Sequence, residues 1–230
     1  MTDSMIQLKG RHVTADRRLD RIPEFDPKSR RFGVAPVLPD KPPRSFTWRT
    51  SFVLDQGQEG ACVGFGWSHE LLARPIIQPG VNNAFAQQLY REAQQLDEWP
   101  GEDYSGTSLL AGAKAVQARG HMKEYRWGFS IDDLIMALGY QGPVVLGLNW
   151  YTGMMNTDAE GYIRPTGQVE GGHCIAALGW NVRLNRAELV NSWGVDWGNG
   201  GFCYIGRDDL ERLLHEQGEQ CIPVGRVKVV

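Results

Sequence analysis

The sequence predicts an α+β fold in which a helical region is followed by a region of antiparallel strands. Between residues 45 and about 125, apolar residues recur at helical spacing, whereas after about residue 140 short apolar or β-branched runs alternate with Gly, Asn and Asp clusters. The chain has 230 residues, 42% of them hydrophobic, which is enough to bury a sizeable core. We therefore expect two lobes with a cleft between them.

Residues 1–45 form a basic, proline-containing arm. Residues 1–44 hold 10 Lys/Arg and 6 Asp/Glu, a balance of +4, whereas the remaining residues carry a balance of −7. Six prolines lie between Pro23 and Pro43. Because proline fixes φ and removes a backbone donor, we expect this arm to be extended or looped.

Residues 46–128 are predicted to form the helical lobe. A first helix should begin near Cys62 and end at Pro75, a second should cover about Ala84–Leu96, and a third about Ser108–Arg119. Thr107 or Ser108 can cap the start of the third helix.

Residues 129–230 are predicted to form the β lobe. After a short helix at Ile131–Leu138 come five apolar runs, which should pair as antiparallel strands in a barrel or a strongly bent sheet. The runs are PVVLGLNW, HCIAALGW, RAELVNSW, GFCYIGR and the terminal PVGRVKVV. A further helix is expected at Asp208–Gln217.

Composition excludes several classes of function. No apolar run approaches the ~18–20 residues that span a bilayer, and no secretory signal is visible. A net charge of −3 without a basic stripe argues against nucleic acid as a partner. Four cysteines without a CxxC pair suggest reduced thiols, a cytoplasmic location, and no metal or cofactor. The sequence leaves the oligomeric state open.

Cys62 is a candidate nucleophile. It follows the Gly-rich loop DQGQEGA and opens an apolar helix, where unpaired N–H groups and the helix dipole stabilise a thiolate. Gln56 lies six residues earlier, and its carboxamide could join the Cys62 N–H in an oxyanion hole. The alternative is that Cys62 is a small buried hydrophobe and Gln56 an ordinary loop residue.

His173 is the best candidate for a general base. It follows two glycines at the start of an apolar strand, and a hairpin would bring Asn191 beside it. The Asn191 oxygen could then orient the imidazole, with Trp193 covering the bond. The alternatives are a surface histidine at a strand end and a Gly/Trp-rich turn.

Taken together, these residues resemble the papain-like cysteine peptidases over roughly residues 46–227. The resemblance rests on Gln56-Gly57-x-x-Gly60-Ala61-Cys62, on Gly172-His173 entering a strand, and on the Asn191-Ser192-Trp193-Gly194 run with Trp197-Gly198. Glu59 stands where the family usually has a disulfide cysteine, and Val63 where it usually has an aromatic residue. These departures indicate a compact, disulfide-free, intracellular member of bacterial or phage type.

The resemblance implies a helical left lobe, a β-barrel-like right lobe and a peptide or protein substrate in the cleft. It implies peptide hydrolysis through a Cys62–His173–Asn191 triad and a thioester acyl-enzyme, with Gln56 in the oxyanion hole. It further implies that substrate contacts come from a set of residues on both sides of the cleft: Gly106, Thr107, Gly171, Gly172, Cys174 and Trp193. Two alternatives use the same fold: an amidase or transpeptidase acting on cell-wall-type peptides, and a non-catalytic binding module.

The resemblance also places residues 1–45 where the family carries a propeptide that blocks the cleft. The arm could be a short inhibitory strap or a permanent part of the fold. We favour the permanent arm because four apolar residues, Ile22, Phe25, Phe32 and Val34, need burial.

Overall fold

The computed structural model describes residues 6–8, 11–13, 19–50, 52–99 and 105–229, and its fold is α+β, as predicted. Three helices form most of one lobe: α1 (Cys62–Leu72), α2 (Asn83–Leu96) and α3 (Leu109–Ala118). Their starts and ends agree with the predicted helices to within about three residues. Asn82 caps α2 by accepting from the Phe85 N–H at 3.0 Å. Ser108 caps α3 by accepting from the Ala111 N–H at 2.9 Å.

Helix α1 is the central helix, and all eleven of its residues are buried. Two glycines allow its neighbours to approach this closely. A Cβ at Gly64 would collide with the Ala86 carbonyl of α2, and a Cβ at Gly66 would lie 2.6 Å from the Cys174 sulfur. The helix therefore packs directly against the strand that carries His173.

The second lobe is built on a seven-stranded sheet. The strands are β4 (Phe46–Thr47), β6 (Met122–Trp127), β7 (Val144–Tyr151), β8 (Val169–Asn181), β9 (Arg186–Val190), β10 (Phe202–Gly206) and β11 (Glu219–Arg226). Their order in the sheet is β10–β9–β8–β7–β11–β6, with β4 paired to β8. All pairings in this sheet are antiparallel. Within the described residues the sheet is open rather than a closed barrel, since β10 and β6 are its two ends.

Helices α4 (Ile131–Tyr140) and α5 (Arg207–His215) belong to the lobe that contains the sheet. Leu134 of α4 and Leu213 of α5 share a buried apolar cluster with Leu146 and Leu148 of β7. A second cluster joins α1, α2 and α3, so each lobe has its own core. Among the described residues, no helix is long and apolar enough to cross a membrane.

The structure corrects two features of the predicted strands. Strand β6, at Met122–Trp127, lies partly in the stretch predicted to be helical, and it pairs with β11. Strand β11 begins at Glu219, four residues before the predicted run. Pro223 is compatible with β11 because the pairing with β7 has already ended at Cys221.

The N-terminal arm, predicted over residues 1–45, is described at residues 6–8, 11–13 and 19–45; the rest of it lies outside the described residues. It contributes a hairpin, β1 (Ile6–Leu8) with β2 (Arg11–Val13), and a short strand, β3 (Arg21–Ile22). Strand β3 pairs in parallel with β5 (Thr107–Ser108), so the arm crosses the helical lobe beside the start of α3.

Two of the four expected apolar anchors of the arm are buried. Ile22 is 5% exposed and Val34 is 0% exposed, whereas Phe25 and Phe32 remain 43% and 58% exposed. Backbone hydrogen bonds from Val34 to Trp127 and from Trp127 to Phe32 join the arm to β6. The arm is thus packed on the body, although through fewer side chains than expected.

Candidate active site

Cys62 is the first residue of α1, and its side chain is fully buried. Ala61 precedes it and supplies no side-chain cap, so the first N–H groups of the helix have no side-chain acceptor from the cap position. The Cys62 thiol contacts the backbone of Cys174 in β8 and the backbone of Asp20 in the arm. The thiol therefore lies where the two lobes and the arm meet.

His173 directly precedes Cys174 in β8 and forms a hydrogen bond with Asn191. The predicted hairpin places these two residues side by side. His173 Nε2 lies 2.7 Å from Asn191 Oδ1, and both residues are fully buried. The rings of Trp150 and Trp193 lie against the imidazole, with centroids 4.7 Å and 5.0 Å away. This aromatic enclosure keeps water from the hydrogen bond and fixes the plane of the ring.

A polar network continues from Asn191 to Gln56. The Ser192 N–H donates to Asn191 Oδ1 at 2.8 Å, and the Ser192 hydroxyl donates to Gln56 Oε1 at 2.6 Å. Gln56 Nε2 in turn donates to the Glu59 carbonyl at 2.8 Å. Gln56 is 3% exposed, so its carboxamide is fixed in orientation within the loop that precedes Cys62.

The glycines on the two sides of the cleft face each other across the arm. Gly106 has φ +88, and a Cβ there would collide with the Asp20 carbonyl. On the other side, Asp20 forms an isolated bridge with Gly172, and a Cβ at Gly172 would collide with the Arg21 carbonyl. The arm backbone therefore fills the groove between Gly106 and Gly172.

The other predicted substrate-binding residues have different surroundings. Thr107 is fully buried, pairs with Arg21 in β5–β3, and donates to Asp97 at 2.6 Å. Gly171 pairs with Trp150 of β7. The Cys174 side chain is fully buried and faces Gly66 of α1, so only the backbone of this residue borders the cleft.

Burial changes the expected ionisation of Cys62. Desolvation raises the pKa of the Cys62 thiol to about 12, and the charge of Asp20 acts in the same direction. Backbone hydrogen bonds and Arg21 oppose this shift without cancelling it. In the arm-covered arrangement the residue is a neutral thiol, whereas the sequence led us to expect a thiolate.

The four cysteines, Cys62, Cys174, Cys203 and Cys221, are all free and buried. Burial raises the pKa of Cys174, Cys203 and Cys221 as well. In the described part of the chain, no group of three or more His, Cys, Asp or Glu side chains could hold a metal ion.

Sequence reasoning missed three components of this site. Ser192 connects Asn191 with Gln56, and the Trp150 ring packs against both the imidazole and the Trp193 ring, with centroids 4.7 Å and 5.6 Å away. Glu219 forms a buried ion pair with Arg21 of the arm. Ser192 could have been found from its place in the Asn-Ser-Trp-Gly run, but no local signal marked Trp150 or Glu219.

Comparisons with known proteins point to one family. A model of the family described as "Papain family cysteine protease" matches residues 90–219, which include His173 and Asn191 but not Cys62. A cathepsin B-like protein, CP3, of Giardia intestinalis is 30% identical over 98 residues, covering 41% of this chain and 33% of that protein. A gut-specific cysteine proteinase of Caenorhabditis elegans is 31% identical over 90 residues, covering 38% and 26%. The matched stretches thus span a third or less of these curated relatives.

Solved structures share the fold. Xylellain, a cysteine protease from Xylella fastidiosa, aligns with a TM-score of 0.68 at 16% identity, covering 92% of this chain and 97% of that one. Digestive procathepsin L 3 of Tenebrio molitor larval midgut aligns with a TM-score of 0.60 at 16% identity, covering 91% and 76%.

Proposed function

Because the chain belongs to the papain family of cysteine proteases, we propose that it hydrolyses peptide bonds with Cys62 as nucleophile, His173 as general acid and base, and Asn191 as the residue that orients His173. The observation that carries this proposal is the buried 2.7 Å bond between His173 and Asn191. It lies one residue from Cys174, whose backbone contacts the Cys62 thiol.

The orientation of the imidazole assigns a role to each ring nitrogen. Nε2 donates to Asn191 Oδ1, which leaves Nδ1 as the nitrogen that exchanges a proton with Cys62. Asn191 is itself held by the Ser192 N–H, so the acceptor oxygen stays in place when the ring becomes charged. This is the arrangement that nucleophilic catalysis requires: a nucleophile, a base and a group that orients the base.

In the proposed reaction, Cys62 transfers its proton to His173 and the thiolate sulfur bonds to the carbonyl carbon of the substrate. The C–N bond then breaks, and the departing amine takes the proton from His173. Water attacks the resulting thioester and gives a proton to His173. The C–S bond breaks, the acid product leaves, and the thiol regains its proton.

The negative oxygen that forms on the carbonyl carbon needs hydrogen-bond donors. We assign this role to the Cys62 N–H at the start of α1 and to Gln56 Nε2. The Gln56 carboxamide is fixed by Ser192 and Glu59, so it needs no reorganisation during the reaction. Removing one such donor typically lowers the rate by about 10²–10³.

Covalent labelling of the full chain tests the nucleophile. We expect an epoxysuccinyl inhibitor to label Cys62 alone, as located by peptide mass spectrometry, and to abolish cleavage of a casein substrate. Cys62→Ala should lose both labelling and cleavage. Cys203→Ser, which changes a buried cysteine in β10, is the matched control and should keep both. Cleavage retained by Cys62→Ala would overturn the proposal, and cleavage of only cross-linked or D-residue peptides would favour an amidase or transpeptidase.

A further inference from the structure

A cavity of about 330 Å³ lies on the solvent face of the sheet, away from the candidate active site. Its walls come from β4, β8, β9 and β10, together with Ser45 and Arg49 on either side of β4. Gly179, which lines it, lies six residues beyond His173 along β8, or about 20 Å at the rise of an extended strand. The cavity is therefore separate from the site that holds Cys62.

One row of paired residues across the sheet explains why this face is concave. Gly179 of β8 lies opposite Thr47 of β4 on one side and opposite Glu188 of β9 on the other. Glu188 in turn lies opposite Tyr204 of β10. Directly opposed residues of antiparallel strands share a face of the sheet. Because Gly179 has no side chain, the row is open between Thr47 and Glu188.

Two arginines bring positive charge to the cavity. The Arg186 guanidinium lies 3.5 Å from the centroid of the Tyr204 ring, and its Nη1 donates to the Tyr162 hydroxyl at 3.1 Å, so this cation is held in place. The Arg49 side chain forms no ion pair or hydrogen bond within the described residues. Its guanidinium is therefore free to bind a ligand.

Glu188 supplies the opposite charge. It is partly buried and lines the same cavity, yet among the described residues it forms no ion pair with Arg49 or Arg186. A purely anionic ligand would meet the Glu188 carboxylate, and a purely cationic ligand would meet two guanidinium groups. Since like charges brought together lower affinity, the cavity is complementary to a ligand that carries both signs.

We propose that this cavity binds a small zwitterion of the α-amino acid class, with its carboxylate on Arg49 and Arg186 and its ammonium on Glu188. Guanidinium–carboxylate hydrogen bonds are charge-assisted and among the stronger ones in proteins. Asn181 also lines the cavity, and because its Oδ1 accepts from the Leu184 N–H at 2.9 Å, its amide hydrogens remain as donors to the carboxylate. The site does not depend on the peptidase function, because an amino acid has no peptide bond to cleave.

Three analogues of alanine test both ends of the ligand in the native full chain. L-alanine carries both charges, N-acetyl-L-alanine only the carboxylate, and L-alaninamide only the ammonium. In an NMR titration of the ¹⁵N-labelled protein, we expect L-alanine to bind with a Kd below about 1 mM and each analogue to bind at least about tenfold more weakly. An analogue that binds as tightly as L-alanine, or no binding of L-alanine at about 10 mM, would overturn the inference.

The same titration locates the ligand. The amide signals of Gly179, Glu188 and Tyr204 should shift as L-alanine binds, whereas that of His173 should stay in place. Shifts centred on His173 would put the ligand in the cleft and would overturn the inference.

Neutral variants assign each end of the ligand. Glu188→Gln should weaken L-alanine by about tenfold or more and leave N-acetyl-L-alanine unchanged. Arg49→Gln should weaken L-alanine and N-acetyl-L-alanine and leave L-alaninamide unchanged. Arg183→Gln is the matched control, because Arg183 is exposed in the turn after β8 and does not line the cavity. Native affinity for L-alanine in both cavity variants, or an equal loss in the control, would contradict the assignment of Arg49 and Glu188.

Discussion

At the scale of single residues, the site depends on a chain of buried hydrogen bonds that crosses from one lobe to the other. It runs from His173 through Asn191 and Ser192 to Gln56. The proposed proton transfers belong to His173, whereas the other members of the chain hold groups in place. Substitutions along the chain should therefore differ in severity.

We predict that His173→Ala removes nearly all peptidase activity, whereas Asn191→Ala lowers kcat and leaves measurable activity. The reason is that the imidazole moves protons, while Asn191 only fixes its orientation, and Trp150 and Trp193 still restrain the ring. The measurement is kcat/KM on one peptide, with circular dichroism as a control for folding. Equal losses in two folded variants would contradict this division of roles.

His69 should control the acid stability of the fold. It is fully buried in α1 and accepts from the Leu54 N–H at 3.0 Å. Burial lowers the pKa of His69 to about 3. In the unfolded chain His69 has an ordinary pKa near 6.5, so between about pH 6.5 and pH 3 it is protonated there and neutral in the folded chain. The free energy of unfolding therefore falls as the pH falls through this range.

The expected slope from His69 alone is about 1.4 kcal/mol per pH unit within that window. His69→Gln, whose side-chain oxygen can still accept from Leu54, should show a shallower decline in the free energy of unfolding. Urea denaturation at several pH values provides the measurement. An unchanged slope in the variant would show that His69 titrates normally.

The residues that carry the proposed chemistry could be predicted from sequence because their types and order are restrictive. The buried ion pair between Arg21 and Glu219 could not be predicted, since nothing local distinguishes Glu219 in a stretch of mixed polar residues. Its importance comes from Arg21, 198 positions earlier in the chain. The ionisation of Cys62 could not be predicted from the sequence either, because the thiol is buried among residues that are distant along the chain, such as Asp20 and Cys174.

At the scale of elements, the short parallel pair β3–β5 holds the arm over the cleft.

Helices and most strands could be predicted from periodicity and capping residues. Strand β6 could not, because only the two end residues of its MKEYRW sequence are buried. A two-residue strand such as β3 is too short to show an alternating pattern in the sequence, and its pairing depends on tertiary contacts.

A substitution at Gly106 tests whether the β3–β5 pair keeps Cys62 covered. Gly106→Ala should raise the alkylation rate of Cys62 by about tenfold, because the methyl group would collide with the Asp20 carbonyl and displace the arm. Gly120→Ala is the matched control. Gly120 has a similar φ of +79 but nothing within 4 Å of the added carbon. Both changes cost about 1 kcal/mol in backbone strain, and only the first should expose Cys62.

Equal alkylation rates in the two variants, at equal stability, would mean that the arm does not follow the groove along Gly106. The rates of Cys174, Cys203 and Cys221 should stay low in both variants, since these thiols are buried in the two cores.

At the scale of the whole molecule, the arm is attached to the helical lobe through the β3–β5 pair and, further along the chain, to the lobe that contains the sheet. The Val34 side chain is fully buried in the core that contains the sheet, and Gln141 donates to the Val37 carbonyl at 2.8 Å. Arg44 Nε donates to the Gly139 carbonyl at 2.6 Å. These contacts support the hypothesis of a permanent arm, even though residues 20–22 cover the cleft.

We predict that a chain beginning at Ser45 is less stable and more prone to aggregation than the full chain. Removing residues 1–44 exposes the surfaces that Leu19, Ile22 and Val34 cover, at about 1.5–3 kcal/mol for each side chain. Thermal melting and light scattering provide the measurement. A soluble, equally stable and much more active protein would instead identify the arm as a removable propeptide.

Attachment on both sides of the cleft has a consequence for how a substrate gains access. Since Val34 and Arg44 fix the later part of the arm, uncovering Cys62 requires only that the few residues around Asp20 detach. Such an event is a partial opening with a free energy below that of global unfolding. Amide hydrogens in β3 should therefore exchange with solvent quickly, through this partial opening. Those of α1 should exchange only when the whole molecule unfolds.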